Sequence, residues 1–176
     1  SVNSCDRDMI LNTLNAVHNG VFRMSPDIEG LVETSSSLAR VIVADGEYST
    51  KSLQRSSVES SKDDIANTIR TVFELGSCKV VQTGDYPGWR PNPNSEILTI
   101  MNDLYKAKYN EEPQVKACHA GLECGILGTH LPKADMISFG PNIRAPHSPD
   151  EKVQISSVQK FWDFLLSALE MIPSKN

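Results

Sequence analysis

Apolar positions recur at two different periods along the chain, and the changes of period mark its elements. Ile10, Leu11, Leu14 and Val17 fall at helical spacing, and His18-Asn19-Gly20 closes the pattern with a glycine that tolerates a left-handed backbone. A segment rich in Val, Ile, Thr and Ser follows over residues 30–56, broken at Asp45-Gly46. That dipeptide fits a two-residue hairpin turn, so an antiparallel strand is predicted on either side of it. Ile65, Ile69, Val72 and Phe73 form a second helical stripe, which Gly76 ends. Ser60 or Ser61 can cap this helix, and Asp63 and Asp64 suit its positive first turn. CKVVQTG, 78–84, reads as a strand.

The order helix, strand, strand, helix, strand matches the ferredoxin-like β-α-β-β-α-β unit without its first strand. A missing strand leaves an unpaired sheet edge, which natural domains avoid, so the chain is expected to be the later part of a longer protein. DYPGWRPNPN, 85–94, has the three prolines and glycine of a linker, with Tyr86 and Trp89 as hinge packing. Beyond it Ile97, Leu98, Met101, Leu104 and Tyr105 make a helical stripe. QVKACHA, 114–120, and the mostly apolar ADMISFG, 134–140, read as strands, with GLECGILGTHL, 121–131, as a short helix between them. Val158, Phe161, Trp162, Leu165, Leu166 and Leu169 predict a last helix, with Ser156 and Gln159 as a capping box and Trp162 in the core. The expected fold class is α/β: an α+β segment followed by a layered α/β piece.

Composition narrows the function classes. A chain of 176 residues, 39% hydrophobic and 22% charged, buries a core as one domain or two small ones, which excludes disorder and a coiled coil. The net charge of −5 is spread out with no Lys/Arg cluster, so nucleic acid is not an expected partner. No apolar run approaches the ~20 residues that cross a bilayer, so no membrane is expected either. The four cysteines, Cys5, Cys78, Cys118 and Cys124, have no CxxC spacing. They suggest neither a disulfide framework nor a zinc knuckle, but reduced thiols of a cytoplasmic protein.

The candidate chemistry centres on His147 in GPNIRAPHSPDEKV, 140–153. Ser148, Pro149 and Glu151 have the spacing of a capped helical turn, which would put His147 at the C-terminal mouth of the 134–140 strand, where ligands of open α/β sheets collect. Two readings fit: a loop histidine held by a backbone carbonyl, or a metal ligand. Cys124 with His119 offers the residue types of a Cys/His nucleophile, but the local sequence has no third residue to orient the pair.

HAGLECGIL, 119–127, followed by DMISFGPNIRAPHSPDEKV, 135–153, closely resembles the C-terminal end of aminoacyl-histidine dipeptidases, cytosolic bacterial relatives of carnosinase. NGVFRMSPDIEGLVETS, 19–35, and YPGWRPNPNSEIL, 86–98, resemble the same proteins. The resemblance implies a catalytic domain holding two divalent metal ions, with zinc expected. It also implies a lid domain that closes over the dipeptide and often forms a homodimer contact. Residues 1–87 would be the later part of the lid and 88–176 the C-terminal segment of the catalytic domain. His147 occupies the family's C-terminal metal-ligand position. The family's His-x-Asp motif and the Glu-Glu pair with its general base do not occur before the lid segment, and Glu111-Glu112 lies after it in a polar, solvated turn. The general base and the remaining ligands are therefore expected in a missing N-terminal half.

Three more residues enter the site by resemblance. Arg23 would grip the dipeptide's C-terminal carboxylate, or else be a surface arginine paired with Asp27 or Glu29. His119 falls on the substrate loop, or is a buried structural histidine. Glu123 would meet the substrate's amino group, or serve as a cap or ion-pair partner. The implied activity is hydrolysis of Xaa-His dipeptides by metal-activated water, with this chain alone inactive. The competing reading is a non-catalytic dimerisation or peptide-binding module derived from the family.

Overall fold

Ile65, Ile69 and Phe73 are the centre around which the N-terminal elements assemble. In the computed structural model, which describes residues 3–117 and 122–172, the chain divides into two compact units. Residues 1–91 with 116–132 make one, and residues 92–115 with 133–176 the other.

The first unit opens with helix α1, Ser4–Ala16, whose N-cap Asn3 accepts from the Asp6 N–H. Strands β1, Gly20–Met24, β2, Val32–Ala44, and β3, Glu47–Ser56, form an antiparallel sheet in the order β1-β2-β3. The hairpin forms where the sequence places it: Asp45 and Gly46 both have positive φ, 54° and 81°, the backbone that a tight two-residue turn requires. β1 is an addition, since all five of its residues are exposed and no alternation announces it. Helix α2, Glu59–Leu75, packs on the sheet and buries Ile65, Ile69 and Phe73 with Val17. Leu38 and Tyr48 of the hairpin, together with Val72, Cys78 and Val80, pack around that cluster. α2 starts earlier than expected: its N-cap is Val58, without a side-chain cap, and Ser61 is buried within its first turn. Asp63 and Asp64 therefore stand beyond that turn.

The strand expected at 78–84 does not form. The segment runs back along α2 instead, the Cys78 N–H donating to the Phe73 carbonyl and the Gln82 side chain to the Ala66 carbonyl. Cys78 and Val80 thus pack against the α2 cluster rather than pairing with a neighbouring strand, while Val81 stays exposed. The short helix expected between 121 and 131 is present as α4, Glu123–His130, and belongs to this unit.

The second unit pairs helix α3, Glu96–Tyr109, with helix α5, Ile155–Glu170. Between them stands an aromatic cluster in which the Phe164 ring lies 5.5 Å from Tyr105 and 5.6 Å from Phe139. The face of α5 turned inward is one position away from the predicted stripe. Phe164 is buried, whereas Trp162 is 59% exposed and is not core. Nor is there a capping box, because the N-cap is Gln154 and Ser156 lies inside the helix. Strands β4, Ile143–Arg144, and β5, Lys152–Val153, form a small antiparallel hairpin.

Neither 134–140 nor the described part of 114–120 is a strand. Side chains fix the former: Asp135 accepts from the Ser95 hydroxyl at 2.8 Å and from the Ile97 N–H at 3.1 Å, while Phe139 enters the aromatic cluster. Glu111 and Glu112, expected to be solvated, are exposed but paired, with Lys160 at 2.8 Å and Lys106 at 2.9 Å.

Stability should respond to this packing in two measurable ways. Ile65→Ala removes a side chain with 0% exposure, and a fully buried isoleucine truncation destabilises by ~2–5 kcal/mol; the urea midpoint is expected to fall with the m-value unchanged. The Ile97 N–H and the Ser95 hydroxyl hold the Asp135 carboxyl below the usual carboxylate range. A depressed folded-state value contributes stability above the unfolded value and loses it as pH falls through the folded one. Asp135→Asn should therefore lower the melting temperature at neutral pH and flatten the acid limb of its pH profile below about pH 4. Identical acid limbs in the two proteins would mean that the Asp135 cap contributes no stability.

Candidate functional site

The first turn of α2, through Ser61 and Glu33, positions Arg23. β2 enters the sheet with Glu33 and Thr34 turned inward, 6% and 0% exposed, and a buried carboxylate must be paired or hydrogen-bonded. Glu33 accepts from the Ser61 hydroxyl at 3.0 Å and lies 3.4 Å from the Arg23 Nε across the β1–β2 ladder. Thr34 and Ser56 hydroxyls meet at 2.8 Å beside it. The sequence offered Asp27 or Glu29 as the arginine's partner; the structure gives Glu33, and Asp27 pairs instead with Arg90 at 3.1 Å. With its Nε toward Glu33 and its side chain 59% exposed, Arg23 is anchored through one nitrogen and remains largely open to solvent.

The next residue of α2, Lys62, gathers a second polar group. Its side chain is only 10% exposed, and its ammonium lies 2.8 Å from Glu59, 2.7 Å from Asp85 and 2.6 Å from the Tyr86 carbonyl. Burial alone would lower this lysine's pKa; the hydrogen bonds and charges of Asp85 and Glu59 outweigh it and raise the value. Glu59 also accepts from the Gly88 N–H, so residues 85–88 form a strap laid across the start of α2. The strap fits only as glycine at 88, where an added Cβ would strike the Ser56 carbonyl. α4 lies on the strap's other side, with Gly125 so close that a Cβ would stand 2.6 Å from the Pro87 carbonyl. Glu123 opens α4 as an exposed residue of its first turn. Cys124 is a free, half-buried thiol, and His119 lies outside the described residues.

In the second unit His147 is at the tip of the β4–β5 hairpin. The expected helical turn after it is a β-turn: the Glu151 N–H donates to the Ser148 carbonyl at 3.1 Å, and the Ser148 hydroxyl accepts from the Asp150 N–H at 3.2 Å. Glu151 does reach back, as its capping spacing suggests, but to the His147 N–H at 2.7 Å. Ala145 and His147 have positive φ, 50° and 63°, on either side of Pro146. A left-handed residue with a side chain costs roughly 1–2 kcal/mol, and such strain persists where the surroundings impose it, often at functional sites. The loop thereby presents an exposed imidazole on a fixed backbone. Because 134–140 is not a strand, His147 stands at a hairpin tip and not at a strand mouth.

The donor chemistry of the described residues does not by itself fit a metal ion. His147 is one nitrogen donor, no group of three His, Cys, Asp or Glu side chains converges among the described residues, and a catalytic zinc commonly has three protein ligands. No hydrolytic step through a metal follows from these residues alone.

No protein-family model matches the chain. The fold is mixed α/β. It superposes on aminopeptidase PepT from Bacillus cereus with a TM-score of 0.70 over 93% of this chain and 44% of that one, at 12% identity, a likeness of fold alone. Closer relatives give the family. The chain is 39% identical to the cytosol non-specific dipeptidase of Escherichia coli over 96% of its own length, and 41% identical to the aminoacylhistidine dipeptidase of Vibrio alginolyticus, with a TM-score of 0.81 over 99% of its length. It belongs with these dipeptidases. The chain spans about a third of the length of these relatives, 35% and 36% respectively.

Arg23→Ala should expose how Glu33 is sustained. Breaking a buried pair costs more than breaking an exposed one, and because the arginine side is 59% exposed the expected loss is only ~1–2 kcal/mol in urea unfolding. Glu33→Gln with Arg23→Ala together should lose less than the sum of the single variants. Additive losses would show that the two side chains do not interact.

Proposed function

We propose that the chain is part of a metal-dependent dipeptidase that hydrolyses Xaa-His dipeptides in the cytoplasm. The observation that carries the reading is the likeness, near 40% identity and over nearly the whole chain, to two proteins named as dipeptidases. Two groups of suitable geometry support it, an exposed arginine anchored by one nitrogen and an exposed histidine on a strained, tied-down turn.

In this reading Arg23 binds the dipeptide's C-terminal carboxylate and so orients the peptide bond, an effect of position rather than of chemistry. Glu123 and His119 contact the rest of the substrate. His147 offers one imidazole nitrogen to a divalent metal, zinc by expectation, whose other ligands and general base lie outside these residues. The metal, when bound, supplies polarisation of the scissile carbonyl and activation of water. Glu151, bonded to the His147 backbone, fixes the turn and leaves the ring itself available. The first unit, with Val41 and Val43 exposed on its sheet, is the proposed homodimer contact.

The test is hydrolysis of a Xaa-His dipeptide by the 176-residue chain, by a longer form supplying the remaining two thirds of the relatives' length, and by that form with His147→Ala. The longer form is expected to turn over the dipeptide in a chelator-sensitive way, the histidine variant to lose at least ~100-fold in kcat with less bound zinc, and the chain alone to be inactive. Full activity of the histidine variant, or chelator-sensitive turnover by the chain alone, would overturn the assignment.

A further inference from the structure

Lys62 belongs to none of the groups assigned to the reaction, yet it is a nearly buried cation with three oxygen partners drawn from α2 and from the strap that crosses it. Asp85 and Glu59 are themselves 79% and 54% exposed, so the lysine is not there to neutralise buried carboxylates. What it does hold is the backbone: the Tyr86 carbonyl directly, and the Gly88 N–H through Glu59. That backbone is closely enclosed. On one side Gly88 admits no Cβ against the Ser56 carbonyl, and on the other Gly125 of α4 admits none against Pro87.

α4 has eight residues and no side-chain cap. A helix that short is not stable in water alone, so its order depends on what it is packed against. Gly125 is its one buried residue, and the surface Gly125 meets is the Pro87-Gly88 peptide. We infer that Lys62 is a positioning residue: by pinning the 85–88 strap to the start of α2, it builds the seat on which α4, and with it Glu123, is held. The functional half of this inference rests on reading Glu123 as a substrate contact, while the seating of α4 does not.

Amide hydrogen exchange on the complete 176-residue chain reads the seating directly and needs no activity. The variants are Lys62→Met, Lys62→Arg, Asp85→Asn, Gly125→Ala, and Lys62→Met combined with Gly125→Ala. Lys62→Met and Gly125→Ala are each expected to speed exchange across α4 by roughly ten-fold or more, the equivalent of one charge-assisted hydrogen bond. Amides of the β2–β3 ladder should keep their protection. Asp85→Asn removes one arm only and should give a smaller effect of the same pattern, and Lys62→Arg, which keeps the cation, should restore part of the protection. The combined variant should be no worse than the more severe single one, because both unseat the same contact. Unchanged α4 exchange in Lys62→Met, loss of protection throughout the first unit, or additive effects in the combined variant would each overturn the inference. Dipeptidase assays do not enter this result, so a failure of the functional reading would not be mistaken for a failure of the seat.

Discussion

The first turn of α2 buries polar groups, and polar groups taken out of water must find partners. Glu33, Thr34, Ser56, Ser61 and Lys62 are all buried around this end of the helix, while the apolar Ile65, Ile69 and Phe73 occupy the rest of its inner face. An unpaired carboxylate or ammonium here would cost several kcal/mol, so the satisfied arrangement tolerates few alternatives. The demand of Glu33 draws Arg23 across the β1–β2 ladder; the demand of Lys62 draws in the strap at 85–88. Two candidate substrate contacts, on β1 and on α4, thus trace back to one helix end.

The second unit solves a different problem with the same means. Its apolar area is an aromatic cluster between two helices, and the connecting segments are held by side-chain bonds rather than by a large sheet. Asp135 closes the start of α3, Glu111 ties Lys160 over the Tyr105 and Tyr109 rings, and Glu151 closes the turn of His147. Of these carboxylates it is Glu151 that ties down the His147 backbone. Among the described residues the imidazole is a donor without a donor set, and the metal reading therefore depends on groups beyond them.

Period and turn chemistry are legible in the sequence wherever one element decides its own structure. The Asp45-Gly46 hairpin, the 65-69-73 stripe and the short α4 all form as expected. The departures share a physical cause: they turn on partners that a single stretch does not reveal. CKVVQTG has strand composition, but meets α2 instead of a strand; ADMISFG is apolar, but Asp135 is taken by a helix end. The stripe of α5 lies one position from its observed inner face because an apolar helix with Phe161, Trp162 and Phe164 has more than one possible inner face, and α3 selects Phe164. Of the candidate site, His147 and Arg23 are singled out in the sequence by the long motifs around them. The partner of Arg23 is hidden because Glu33 is a neighbour across a strand that carries no alternation, and Lys62 because nothing distinguishes a buried lysine from a surface one before its partners are placed.

The most direct test of the claim that one helix end organises the first unit is the Gly88 amide in the unmodified chain, observed by proton–nitrogen NMR. Bonded to the Glu59 carboxylate and closed in by Ser56, it should resonate downfield and exchange orders of magnitude more slowly than an open-loop amide. A Gly88 amide that exchanges at the open-loop rate would mean that the strap is not held, and that α2 does not organise the elements described around it.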